Sequence, residues 1–253
     1  MLSKRLAGTA AICLLLAAGA TACGDTQSKA GAAPKLDTEK LSAQEIEQAT
    51  KDALSAATSV KITGDIAMDE GKMTIDLALD TKSQCTGTMS MPGMGKFEII
   101  SDGKQSYVKP DKEFWTAIAG KEGAKAAELF KGRYLSGLQD SEMKDLTSVC
   151  NLKDFTAKIV SDDSGKSEAT KGGAATVNGQ KAFSLKVKDR KGEESTIHVA
   201  TEGKFYPLRV EKKSGTEGGQ IDFTDYDKPL TIQAPPADNV IDFAKLQDQL
   251  KSA

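Results

Sequence analysis

From Val60 to Phe223 the chain repeats one pattern, in which apolar residues alternate with polar ones in short runs separated by Gly, Pro, Asp or Asn. Val60, Ile62, Gly64, Ile66 and Met68 alternate with Lys61, Thr63, Asp65 and Ala67. After the turn Asp69-Glu70-Gly71, Met73, Ile75, Leu77 and Leu79 alternate with Thr74, Asp76, Ala78 and Asp80. Successive side chains of a strand point to opposite faces, so this period of two describes strands with one buried and one wet face. Cys85, Gly87, Met89 and Met91 continue the series up to the turn Pro92-Gly93-Met94-Gly95. Phe97 and Ile99 follow, then the turn Asp102-Gly103, then Tyr107 and Val108. Short strands joined by such turns form an antiparallel meander, and its apolar face needs a cover.

Helical segments interrupt the strands and can supply that cover. Ser42-Ala43-Gln44-Glu45 is a capping box, followed by Ile46, Ala49, Ala53, Leu54 and Ala57 at helical spacing. A second helix is expected within Ala117 to Phe130, starting near Gly123 because Gly120 and Gly123 weaken its first half. A third begins at Ser141, with Met143, Leu146, Val149 and Leu152 on one side. Ser161 to Gly173 reads as a polar loop. A second meander then turns at Asn178-Gly179, a strong two-residue hairpin signal, and carries Phe183, Leu185, Val187, Ile197, Val199, Phe205, Leu208, Val210, Ile221 and Phe223. Asp242 to Leu250 is expected to form a short terminal helix.

The first 22 residues read as an export signal. Lys4 and Arg5 precede an apolar run from Ala7 to Ala18, and the small residues Ala20-Thr21-Ala22 lead to Cys23. The run is too short to span a membrane. Cys23 is therefore expected to be the mature N-terminus carrying a diacylglyceryl thioether. An ordinary secretory signal cut after Ala22 would leave the same residue first, without lipid. Residues 23–41, rich in Gly, Ser, Ala and charge, read as a flexible tether, and 42–253 as a single domain. Losing Lys4 and Arg5 takes the formal charge from −2 to −4, which excludes the electrostatic footprint of a nucleic-acid binder. It leaves membrane attachment to the acyl chains.

Cys85 and Cys150 remain after export as an even pair in an oxidising compartment, readable as a disulfide, two buried thiols or a redox pair. No C-x-x-C supports redox chemistry, and two cysteines with one histidine do not make a zinc site. His198 falls on the polar face of its strand. Asp162-Asp163 and Glu193-Glu194 lie beside turn residues and read as solvated acids. The motifs of serine hydrolases, zinc proteases, phosphate-binding loops and calcium loops are all missing, so nothing argues for an enzyme, a cofactor or a metal. Five of the seven methionines lie between Met68 and Met94. Methionine suits both an irregular core and a surface adapted to varied apolar partners.

The order is helix, strands, two helices and more strands behind a lipidated cysteine. It resembles the LolA/LppX/LprG-like superfamily of envelope lipid and lipoprotein carriers, actinobacterial members included. The resemblance is carried by Ala53 to Ile66 (ALSAATSVKITGDI), Gly95 to Trp115 and Gly203 to Val210 (GKFYPLRV), and covers most of residues 42–245. It implies an α+β fold: a curved antiparallel sheet, a half-open β-barrel, with helices covering the concave face and acyl chains held in the apolar space between. The implied lining is Ile66, Met68, Met73, Ile75, Leu77, Met89, Met91, Phe97, Ile99, Tyr107 and Trp115. The implied partners are lipid or lipoprotein acyl chains and the membrane itself through Cys23. The alternative is a ligand-free module whose filled core lets the same sheet dock an envelope protein or wall polymer; an enzyme is the remote third reading.

Overall fold

A computed structural model describes residues 35–68, 70–138, 144–161, 167–188, 192–212 and 218–246. The export signal, Cys23 and most of the tether lie outside the described residues, as do Asp69, Ser141, Met143, Asp162, Asp163 and Leu250.

Helix α1 (Ala43–Ser55) starts as its sequence dictates. The Ser42 hydroxyl accepts from the Glu45 N–H at 3.2 Å, and the Glu45 carboxylate accepts from the Ser42 N–H at 2.7 Å. Five strands follow: β1 (Ser59–Met68), β2 (Gly71–Asp80), β3 (Gln84–Met91), β4 (Gly95–Asp102) and β5 (Ser106–Pro110). Next come α2 (Lys112–Ala119), a 3-10 turn (Gly120–Glu122), α3 (Gly123–Leu129), β6 (Tyr134–Ser136), α4 (Lys144–Ser148) and α5 (Leu152–Ser161). The second meander comprises β7 (Glu168–Val177), β8 (Gln180–Lys188), β9 (Glu194–Ala200), β10 (Pro207–Lys212) and β11 (Gly219–Thr224). The last strand is β12 (Val240–Asp242).

All twelve strands join one open sheet in the order β12-β6-β5-β4-β3-β2-β1-β11-β10-β9-β8-β7. The two meanders fuse where β1 pairs with β11, Ile62 opposite Phe223 and Gly64 opposite Ile221. Among the described strands every ladder is antiparallel except that of β12 with β6. Two glycines let the sheet curve tightly. At φ 152° and 153°, a Cβ on Gly64 would stand 2.0 Å from the Gln220 carbonyl oxygen, and one on Gly87 2.0 Å from that of Asp76. The expected α+β class, a curved and unclosed antiparallel sheet with covering helices, is the observed one.

Several boundaries differ from the sequence reading. Helical structure begins at Lys112, because the Asp111 carboxylate accepts from the Phe114 N–H at 2.7 Å and caps α2; Phe114 and Trp115 are therefore helical. The helix expected from Ser141 is two helices, broken around Cys150, with Asn151 accepting from Lys153 and Asp154 N–H at the start of α5. The loop expected up to Gly173 becomes strand from Glu168. The Asn178-Gly179 turn, with φ 49° and 80°, folds β7 onto β8 as an edge strand whose register shifts between Lys171 and Ala174, where Gly172 and Gly173 sit. The terminal helix is preceded by β12 and is described only over residues 243–246, where Asp242 accepts from Lys245 N–H. The tether ends earlier than expected. Lys35 bridges to Glu202, Leu36 N–H donates to Thr201 O, and Leu36 is buried with Ala43, Ile46, Ala169, Leu185, Val187 and Val199. A single anchoring leucine carries no period, so the pattern could not reveal it.

Candidate functional site

Strand register sorts the inner face into rows. One row runs Phe223, Ile62, Leu77, Gly87, Ile99, Val108 and Leu135. Its neighbour includes Val210, Ile221, Gly64, Ile75, Met89, Phe97 and Pro110. Beyond it, Ile66 faces Met73 and Met91 faces Gly95. The first row is closed: Leu77, Ile99, Val108 and Leu135 have no exposed surface. Helices α2 and α3 bring a continuous aromatic chain onto the neighbouring row at Phe97. Phe97 meets Phe114 edge-on at 6.1 Å, Phe114 meets Trp115 at 6.2 Å, and Trp115 stacks on Phe130 at 4.8 Å.

Burial loosens toward the end of the sheet that carries the methionines. Ile66, Met73, Met89 and Met91 are half-buried, as are Met94, Val210 and Ile221. Of the expected lining, then, Ile75, Leu77, Phe97 and Ile99 belong to the packed interior. Ile66, Met73, Met89 and Met91 form a half-open apolar strip. Met68 ends β1, and its side chain lies outside the described residues. Tyr107 requires correction: it pairs with Ile100, on the face opposite Ile99 and Val108, and its hydroxyl donates to Gln105. Two adjacent apolar residues of one strand cannot share a face, and Val108 takes the inner position. Trp115 reaches the inner face from α2 instead of from a strand. Its indole Nε1 is buried with no hydrogen-bond partner.

Sequence reasoning left out Met94, Val210 and Ile221. Met94 sits in a turn, and the other two belong to the second meander. Only the β1–β11 pairing, which local periodicity does not encode, brings them to the strip.

The opposite end of the inner face is pinned by a disulfide. Cys85 in β3 bonds Cys150 at the corner between α4 and α5, with Cα atoms 5.2 Å apart. Beside it, Ser101, Lys104, Ser106, Asn151 and Asp154 help line a polar cleft of about 250 Å³. A second cleft of about 250 Å³ lies among Val60, Lys61, Ala78, Asp225, Lys228, Pro229 and Leu230. Neither opens onto the methionine strip.

The outer face is polar, as the alternation requires. Arg209 makes a two-pronged bond to Asp222, at 2.6 and 3.2 Å. His198 lies on this face between Ser184, 3.0 Å from its Nδ1, and Glu211, 3.7 Å from its Nε2. Burial acts to raise the Glu98 carboxyl, but hydrogen bonds from Lys109 and Tyr134 outweigh it and hold the group below its ordinary value. Asp227, in the segment after β11, gathers three parts of the chain. Its Oδ1 accepts from the Thr58 N–H and hydroxyl, and its Oδ2 from Lys204 and Tyr206, both at 2.6 Å. Burial opposes ionisation there too. The hydrogen bonds from Lys204, Thr58 and Tyr206 overcome it, hold Asp227 far below the usual carboxylate range and raise Lys204 to about 12. Among the described residues no group of three or more His, Cys, Asp or Glu could hold a metal ion, and no helix is long and apolar enough to cross a membrane.

No family model and no curated protein matches the chain. Solved structures do. LprF from Mycobacterium bovis aligns with a TM-score of 0.51 at 15% identity, over 77% of this chain and 97% of that one. Lipoprotein LppX from Mycobacterium tuberculosis aligns at 0.48 and 11%, over 76% and 98%. A LolA superfamily protein from Nitrosomonas europaea aligns at 0.27 and 9%, over 78% and 96%. The likeness to LprF shows a shared fold.

Proposed function

We propose that this chain, which has the LolA/LppX/LprG-like fold, is an extracytoplasmic lipoprotein. It is anchored by acyl chains on Cys23, and it binds or shuttles a lipid or another amphiphile along the inner face of its sheet. The observation that carries this reading is the burial gradient. The same apolar face is closed at Leu77, Ile99 and Leu135 and half-open at Ile66, Met73, Met89 and Met91. A soluble protein gains nothing by leaving such a strip half-covered. An acyl chain laid on it gains about 0.8 kcal/mol for each methylene removed from water, and flexible methionines adapt to its shape. No reacting group is needed for that.

A specific feature also favours the second reading, an envelope interaction module without a ligand. The aromatic chain Phe97, Phe114, Trp115 and Phe130 fills much of the gap between sheet and helices. Native mass spectrometry of the exported protein separates the two. Co-purified lipid that is lost on denaturation supports the carrier and names its cargo. A clean apo mass with no uptake of added phospholipid makes the interaction module the better account, with an envelope protein or wall polymer as partner.

A further inference from the structure

Among the described residues two buried side-chain atoms have no hydrogen-bond partner, Arg133 Nε and Trp115 Nε1, and the second lies in the apolar cover of the sheet. Trp115 is 4% exposed, and its Nε1 is buried without a hydrogen-bond partner. A buried donor left unmade is costly, and native structures seldom keep one without a reason. Its neighbours are aromatic: Phe114 stands edge-on to the indole and Phe130 stacks on it. The core cluster it belongs to is the one against which Met89, Met91 and Met94 pack. A tryptophan is not required for bulk here, since phenylalanine fills the adjacent positions of the same aromatic chain. What tryptophan adds is the N–H.

We propose that the Trp115 indole N–H is the polar contact of the lipid site, donating to an ester carbonyl of a bound acyl lipid. This inference rests on the carrier reading above. A single neutral donor in an apolar setting matches an uncharged acceptor. A carbonyl at the head of an acyl chain supplies one, while the chain itself runs along the methionine strip. The cation–π contacts among the described residues are at Tyr134 and Tyr206 and not at the indole, so a carboxylate or phosphate is the poorer match. Access requires the Phe130 end of the cover to yield. Helix α3, which leads into Phe130, is short, has no side-chain cap at its start, and leaves Leu129 exposed. It is held at its start by close packing of Gly123 on α2 and not by a side-chain cap, which leaves its Phe130 end the freer one.

The test uses the full exported protein and two phosphatidylcholines of equal chain length, one ester-linked and one ether-linked, so that the pair differs only in its carbonyls. Trp115 is the only tryptophan, so its indole N–H gives a single resonance to follow. The ester lipid should bind about tenfold more tightly, equivalent to about 1.4 kcal/mol. It should also shift the indole resonance downfield, which the ether lipid should not do. Trp115→Phe should abolish the preference while still binding both lipids. Equal binding of the two by the native protein, or a preference that survives Trp115→Phe, would overturn this inference and leave the carrier reading standing. Binding of neither lipid would overturn both.

Discussion

Cys85 and Cys150 join the apolar face of a central strand to the corner between two helices, across a sequence separation of 65 residues. A second tie acts at the same place: Asn151, next to Cys150, bridges to Asp80 at the end of β2. The helical corner is thus fixed to adjacent strands, and the cover over this end of the sheet cannot lift as a unit. Closing a loop of this length is worth about 4 kcal/mol in the chain-entropy model. The double substitution Cys85→Ala, Cys150→Ala should therefore lower unfolding stability by about 2–4 kcal/mol, read from the urea midpoint. An unchanged midpoint would show that the corner is held by packing alone.

Asp227 predicts a signed pH effect. Its folded-state value lies below its unfolded one, because Lys204, Tyr206 and Thr58 donate to the ionised form. The stability it contributes is complete above the unfolded value of about 3.9 and is lost as pH falls from there toward the folded value. Glu98 adds to the same acid limb. Asp227→Asn should cost about 1–3 kcal/mol at neutral pH, since it weakens charged hydrogen bonds. It should also flatten the loss of stability between roughly pH 4 and pH 2. Thermal melts of both proteins across that range decide it: parallel curves would mean that other carboxylates govern acid unfolding.

The residues that made these features legible are local, and those that hid them are not. The period of two exposed β1 to β4 and β8 to β11, because each strand is long enough to show it, whereas β5 offered only the adjacent pair Tyr107-Val108. Strands β6 and β12 have three residues each, too few to carry a pattern. Helix α2 starts at Lys112, ahead of the alanine-rich stretch from Ala117, because Asp111 and Glu113 spell a helix start there. The fusion of the two meanders through β1 and β11 is a long-range choice. It places Val210 and Ile221 beside the methionines, and no window of sequence contains both partners.

Gly87 should be nearly irreplaceable. Its φ of 153° and the 2.0 Å approach that any Cβ would make to the Asp76 carbonyl oxygen leave alanine two poor choices. It must either distort the β2–β3 pairing or adopt a strained backbone, at a cost of about 1–3 kcal/mol for strain alone. Gly87→Ala should lower the urea midpoint by at least the equivalent of 2 kcal/mol, or about that much more where the ladder breaks. Gly173, where an added Cβ meets nothing within 4 Å, is the control, and Gly173→Ala should be close to neutral.

The anchor has a simple test in the native host. Cys23→Ala should move the protein from the membrane fraction to the soluble extracytoplasmic one, because an acidic chain without its acyl groups has little affinity for anionic headgroups. A variant that stays in the membrane fraction would sink the lipid-anchor reading.

Met89 separates a packed core from a working surface. It lies between Ile75 and Phe97 on the inner face and is only half-buried. Met89→Leu keeps the apolar area and should alter stability by less than about 1.5 kcal/mol. Met89→Lys can place its ammonium in water along the open side while its stem still covers Phe97, so folding should survive. A charge lying on the path of an acyl chain should nonetheless expel it. The expected result is thus a folded protein with lost lipid uptake, measured by circular dichroism and native mass spectrometry on one sample. If Met89→Lys folds and still carries lipid, the acyl chain does not run over this strip; if Met89→Leu already unfolds the protein, Met89 is core and the half-open surface lies elsewhere.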